Sequence, residues 1–296
     1  MRKKDKDLYN PKTCIQISIL VNILLTGFKF LAGIFGLSQA MIADAFHSLS
    51  DILTSVVVYV GVHIGAMPPD EDHPYGHGNA ETIAASVVSL IILGIGAFAG
   101  IEALLAIIKG DFKVPLNLAL SAAVVSIVVK EALFRYSIKV GQVNNNPAII
   151  ADAWHHRSDA LSSVAAFFGI LGAKASFLLL DPLAGIVVAM LIVKIGIELM
   201  RTNVGIIMDE RPQIEFIENI CVYAREVEGV KKIDDVKVHR RGSSFTVDLE
   251  ISVDSSITVS EGHNIAAQVR KKLLRSQKSI SNVMVHVNPH RSRHKD

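Results

Sequence analysis

Six apolar runs fill the chain between residues 14 and 200, at 14–37, 40–67, 82–108, 114–136, 147–171 and 177–200. Each is near the ~20 residues that a helix needs to cross the hydrocarbon core of a bilayer. The expected fold is therefore an α-helical membrane protein with six transmembrane helices, residues 1–208, followed by a smaller region of different character, 209–296. Half of the residues are hydrophobic, and they are concentrated before Met200. The formal net charge of +2 points to no nucleic-acid partner. Cys14 and Cys221 form no Cys-rich metal motif and are not expected to pair. The basic start of the chain leads into a run too long for a signal peptide, so the first run is read as a retained span. The basic tail, 290–295, is read as a solvated end.

Loop charge sets the expected orientation. Arg2, Lys3, Lys4, Lys6 and Lys12 precede the first run, Arg135 and Lys139 lie between the fourth and fifth, and Arg201 and Arg211 follow the sixth. The positive-inside rule then puts both termini in the cytoplasm. Lys130, Glu131 and Arg135 crowd the end of the fourth run and are expected to snorkel to the interface.

After residue 209 the periodicity changes. Residues 214–227 and 260–274 read as helices, with Ser260 as the N-cap of the second, and 231–239, 245–253 and 283–287 read as strands. Helix–strand–strand–helix–strand suits a small α+β domain with helices on one face of a sheet.

Within the apolar region a single peptide occurs twice. Ile42-Ala43-Asp44-Ala45-Phe46-His47-Ser48-Leu49-Ser50-Asp51 in the second run matches Ile150-Ala151-Asp152-Ala153-Trp154-His155-His156-Arg157-Ser158-Asp159 in the fifth. Ionisable groups in such surroundings need another charge, water or a metal ion. His and the second Asp of each copy are four residues apart, which on a helix leaves them ~40° apart on one face. With six spans the two copies lie on antiparallel helices, in the manner of inverted repeats that share a site near mid-membrane. His47, Asp51, His155 and Asp159 can thus supply four N/O ligands to one ion. A tetrahedral set of that kind suits Zn²⁺ and also fits Co²⁺, Fe²⁺ or Mn²⁺, while the lack of sulfur argues against Cu⁺. Asp44 and Asp152 are expected to orient the two histidines or to line the access path. His156 points about 100° away from His155.

All four ligands bind metal only when deprotonated, so metal and protons contest the site. Opened alternately to each side, such a site is a metal/proton antiporter. There is no His-Glu-x-x-His, and four protein ligands leave no open position for water, so no enzymatic activity is expected. A membrane scaffold that recruits partners through its cytoplasmic region is the rival reading.

Two further groups stand outside the apolar runs. The loop after the second run reads Pro68-Pro69-Asp70-Glu71-Asp72-His73-Pro74-Tyr75-Gly76-His77-Gly78, which is either a divalent-ion site or an acidic solvated loop. In the C-terminal region Asp234, His239, Asp248, His263 and His286 are scattered candidates. Alternation turns His286 away from Val285 and Val287 on the last strand.

These motifs resemble the cation diffusion facilitator family of divalent-metal efflux transporters. The resemblance rests on the six spans, the doubled His-x-x-x-Asp, the Asp-x-x-His-Pro-Tyr-Gly-His-Gly loop and the C-terminal domain, which it implies is ferredoxin-like. It implies a transport site at His47, Asp51, His155 and Asp159, a loop site at Asp70, His73 and His77, and a homodimer whose cytoplasmic domains bind regulatory metal. The cargo it implies is a divalent metal with no tightly bound cofactor, Zn²⁺ first, with Fe²⁺, Co²⁺, Cd²⁺ and Mn²⁺ as alternatives. The membrane it implies is a cell inner membrane, with a magnetosome membrane as the alternative. Asp248, His263 and His286 fall where regulatory ligands are expected, but Asn288 replaces a carboxylate. Asn79 stands where some members carry a Lys that pairs with an acid at the end of the last span, here Asp209. Both replacements, like the lead-in 144–150, are similar to magnetosome-type members associated with iron.

Overall fold

The computed structural model describes residues 10–290 except 111, 145 and 243. Arg2, Lys3, Lys4 and Lys6 and the tail beyond His290 lie outside the described residues. Six long helices come first: α1 (Pro11–Phe35), α2 (Gln39–Gly65), α3 (Asn79–Lys109), α4 (Asn117–Val143), α5 (Pro147–Lys174) and α6 (Leu180–Ile207). The contacts resolve into two compact units, residues 1–57 with 87–199 and residues 58–86 with 200–296.

The first unit is all helix. Asn10 caps α1 by accepting from Lys12 N at 2.9 Å, and proline follows at the start of the helix, where its missing N–H costs nothing. Asn146 accepts from Ile149 N at 3.3 Å and so opens α5, directly before Pro147. The three-residue link between α4 and α5 makes them an antiparallel hairpin. A Cβ on Gly141 would stand 2.7 Å from Ile150 Cγ1 and 3.0 Å from Ile150 N, so only glycine lets the two helices start this close. Ala32, Ala40, Ala119, Ala122, Ala123 and Ala166 are fully buried around Met41 and Ile170. Small residues of this kind let helix backbones approach where no water drives them together.

Helices of 25 to 31 residues exceed the ~30 Å core at ~1.5 Å per residue. Five of the six long helices are apolar enough to cross a membrane as well as long enough; α5 is not among them. Its outer face is apolar, with Leu161 and Phe168 about two-thirds exposed, but its inner face carries His156, Asp159, Ser162 and Ser163, all buried. The polar stripe lowers its mean hydropathy.

In the second unit the chain continues as α7 (Ile214–Arg225), β1 (Lys232–Arg241), β2 (Ser244–Asp254), α8 (Val259–Ser276) and β3 (Ile280–His290). β2 is central, antiparallel to β1 and parallel to β3, with α8 as the crossover. Val247, Leu249, Ile251 and Val283 face Ile220 of α7 and Val269 and Leu273 of α8 in one buried core. The N-cap of α8 is Thr258, not Ser260. Thr258 accepts from Glu261 N at 3.3 Å, and the Glu261 carboxylate accepts from Thr258 N at 2.7 Å, a reciprocal capping box that starts the helix one residue earlier than Ser260. The Thr258 backbone N–H and hydroxyl, both donating to the Glu261 carboxylate, hold it below its ordinary range.

Candidate metal centre

His47 and Asp51 project from α2, and His155 and Asp159 from α5. Ligand atoms of His47, Asp51 and Asp159 all lie within 4.8 Å of one another. His47 Nε2 is 4.0 Å from Asp159 Oδ1. His155 bridges the two carboxylates, with Nε2 4.0 Å from Asp51 Oδ1 and Nδ1 3.6 Å from Asp159 Oδ1. His155 is half-exposed and outside that three-residue group, and its two nitrogens face different carboxylates, so the ring must turn before one nitrogen can join His47, Asp51 and Asp159 on a tetrahedral ion. Asp51 Oδ2 is buried with no hydrogen-bond partner among the described residues. An orphaned carboxylate oxygen inside a helix bundle is costly unless a cation meets it.

Two lysines dominate the surroundings, Lys130, expected at the interface, and Lys29, not singled out in the sequence. Lys130 does not snorkel. It is 2% exposed, and its ammonium donates to Asp159 Oδ2 at 2.7 Å and to Asn22 Oδ1 at 2.9 Å. Glu131 and Arg135, which pair at 2.7 Å, are the members of that cluster that reach outward. Lys29 of α1 is fully buried and pairs with Asp44 Oδ2 at 2.8 Å, while also donating to Ser48 and Ser163 at 3.0 Å each. A lone Lys in the first apolar run is itself a signal, because it requires an anionic partner somewhere in the bundle.

These contacts redirect the two remaining aspartates of the repeat. Asp44 accepts from Ser162 through Oδ1 at 2.7 Å and from Lys29 and Ser163 through Oδ2, so its oxygens serve the α1–α2–α5 junction rather than His47. Asp152 lies 3.3 Å from His156 Nε2, not on His155, because residues four apart share a helix face. His156 is 1% exposed, and neither of its ring nitrogens makes a hydrogen bond among the described residues.

In the second unit Asp70, His73 and His77 do converge. Asp70 Oδ1 is 3.1 Å from His73 Nδ1, Asp70 Oδ2 is 3.4 Å from His77 Nε2, and the two rings are 4.4 Å apart. Gly76 has φ +80°, which lets the chain turn back to bring His77 beside Asp70. The His73 backbone N–H, 2.6 Å from Asp70 Oδ1, together with the His73 ring holds the Asp70 carboxyl below the usual carboxylate range. A depressed folded value means that the interaction is present above the unfolded value and is lost only as pH falls through the folded one. Asp70 therefore stays ionised through the range, about pH 6–7, where imidazoles in general take up protons. Asp70→Asn is expected to weaken any divalent-metal binding at this loop at least about tenfold at neutral pH, read by calorimetry.

Asp248, His263 and His286 are not gathered within the chain. Strand alternation puts Asp248 and His286 on the sheet face opposite the core, and His263 is exposed on α8, which covers the core face. Asp248 Oδ2 instead meets His239 Nε2 at 3.4 Å, and His239 Nδ1 meets Asp209 at 3.0 Å. Asp209 thus has a histidine partner within its own unit. Asn288 donates to Asp234 and Glu250 at 3.4 Å each.

Residues 15–208 match the cation efflux transmembrane domain and residues 212–290 the cytoplasmic domain of cation efflux proteins. The chain is 38% identical to the manganese efflux system protein MneP of Bacillus subtilis, over 93% of this chain and 94% of that protein. It is 35% identical to the magnetosome protein MamB of Magnetospira sp., over 92% of this chain and 93% of that protein. A solved MamM CTD structure, 24% identical, covers 26% of this chain and 100% of its own, with a TM-score of 0.26. With both domain matches in chain order, and a buried His/Asp cluster within the first, the chain belongs to the cation efflux, or cation diffusion facilitator, family of metal transporters.

Proposed function

We propose that this transporter exports a divalent transition metal from the cytoplasm in exchange for protons, with Zn²⁺ as the first cargo. In this reading His47, Asp51, His155 and Asp159 hold the ion in transit, all six long helices cross the membrane, and both termini are cytoplasmic. The orphaned Oδ2 of Asp51, a residue grouped with His47 and Asp159 and 4.0 Å from His155 through its other oxygen, is the observation that carries it. Two imidazoles and two carboxylates suit Zn²⁺, and each must be free of protons to bind, which couples metal entry to proton release. The name of the 38%-identical Bacillus relative favours Mn²⁺ as a second cargo. Asp70, His73 and His77 are read as a loop metal site, residues 209–296 as the cytoplasmic domain through which two copies pair, and the host as a cell inner membrane.

Metal uptake into proteoliposomes under an imposed pH gradient tests this. Flux is expected to follow the gradient and to collapse when a protonophore dissipates it. Zn²⁺ flux indifferent to the gradient would sink the antiport reading, and Mn²⁺ flux that excess Zn²⁺ fails to inhibit would sink the ranking of cargoes.

A further inference from the structure

The two buried lysines of the first unit are not equivalent. Lys29 sits in a closed network. Its ammonium contacts Asp44, Ser48 and Ser163, and both Asp44 oxygens are taken by Lys29, Ser162 and Ser163. None of the transport ligands takes part. Lys130 is bound to a transport ligand itself, at 2.7 Å, and among the described residues otherwise only to Asn22. The other Asp159 oxygen, Oδ1, is the one that faces His155 at 3.6 Å and His47 at 4.0 Å. Asp159 is thus divided between a covalently tethered cation and the place where a mobile one would sit.

We infer that Lys130 is a tethered counter-cation of the transport site, which competes with the metal for Asp159 and so sets how tightly the metal is held. The inference rests on the reading of His47, Asp51, His155 and Asp159 as that site. Asp51 and Asp159 bring two negative charges. With the ammonium the empty site carries one net negative charge and the loaded site one net positive charge. Without it the same states carry two negative charges and none. In a medium of low dielectric a doubly negative site would hold a divalent ion far more firmly and release it slowly. No proton need leave Lys130. Its four-carbon stem lets the ammonium draw back from Asp159 toward Asn22 as the metal arrives and return as the metal leaves. Lys130 acts through Asp159 and is therefore a positioning residue.

The experiment is calorimetry with Zn²⁺ and with Mn²⁺ on the full-length protein in nanodiscs, in a His73→Ala background that disables the loop group, paired with flux in proteoliposomes. Lys130→Gln is expected to bind metal at least about tenfold more tightly while turnover falls. A merely structural lysine would give no such opposition of affinity and rate. Lys130→Arg keeps the charge, and its two-pronged hold on a carboxylate is firmer, so its metal affinity is expected to equal the wild type's or fall below it. Folded Lys130→Gln protein with unchanged or weaker affinity would overturn the proposal. So would tighter binding by Lys130→Arg, which keeps it testable even where the glutamine variant does not fold. Asp51→Asn, measured alongside, separates the two levels. If it binds like the wild type, the site reading itself is wrong; if it loses metal while Lys130→Gln gains nothing, only the role of Lys130 is.

Discussion

Asp51→Asn is expected to lower metal flux in proteoliposomes at least about a hundredfold while the protein remains folded. Loss of a group that only supports a ligand costs about 10–100-fold in metal affinity, and loss of a ligand itself should exceed that. The change suits the geometry. Asp51 Oδ2 has no hydrogen-bond partner among the described residues and Asp51 Oδ1 is 4.0 Å from His155, so an amide at this place breaks no close ion pair. Asp159→Asn is the harsher substitution. It removes a ligand and also leaves the Lys130 ammonium buried with Asn22 alone. An uncompensated buried charge costs about 3–5 kcal/mol, so flux and thermal stability should fall together at Asp159 and separately at Asp51. Flux within threefold of wild type in folded Asp51→Asn protein would remove this cluster from the transport path.

The second large effect concerns stability. Lys29→Met leaves Asp44 charged and fully buried with only Ser162 and Ser163 to satisfy it. The expected loss is about 3–5 kcal/mol, out of a total of about 5–15 kcal/mol for a folded domain. Asp44→Leu, which strands Lys29, should cost as much. The double variant Lys29→Met, Asp44→Leu replaces both partners by apolar groups and should recover most of the loss, since a buried ion pair and a well-packed apolar pair are often nearly equal in stability. Thermal unfolding of the four proteins in detergent closes the cycle. If Lys29→Met alone melts at the wild-type temperature, the pair does not hold α1, α2 and α5 together.

Much of this molecule is legible in the sequence because much of it is local. A helix puts residues four apart on one face, so His47 with Asp51 and His155 with Asp159 can be paired before any packing is known. The succession of elements in the C-terminal domain follows from local periodicity, and its boundaries differ by only a few residues. Thr258 displaces Ser260 as N-cap because it has Glu261 at the spacing that completes a capping box. The loop also converges as its sequence suggests, since Asp70, His73 and His77 lie within one turn of chain closed by Gly76.

What fails are several readings that need the packing around a residue, although the meeting of α2 with α5 is as expected. Lys130 reads as an interfacial cation because its neighbours Glu131 and Arg135 are, yet a helix turns ~100° per residue, and that turn carries Lys130 inward. Proximity in sequence assigns Asp44 and Asp152 to the histidines of the two motifs, whereas Asp44 pairs with Lys29 and Asp152 lies against His156. Asp248, His263 and His286 look like one ligand set until the sheet separates its open face from the helix-covered one.

The chain alone therefore determined two matched His/Asp pairs, their spacing on two helices and the antiparallel arrangement that doubled copies imply. Only the tertiary structure decided where each buried charge finds its counter-charge: Lys29 on Asp44, Lys130 on Asp159. The reason is physical. Helical spacing is set by hydrogen bonds within a few residues, whereas the partner of a buried charge is chosen by the packing of helices, and Lys130 and Asp159 stand 29 residues apart in the chain.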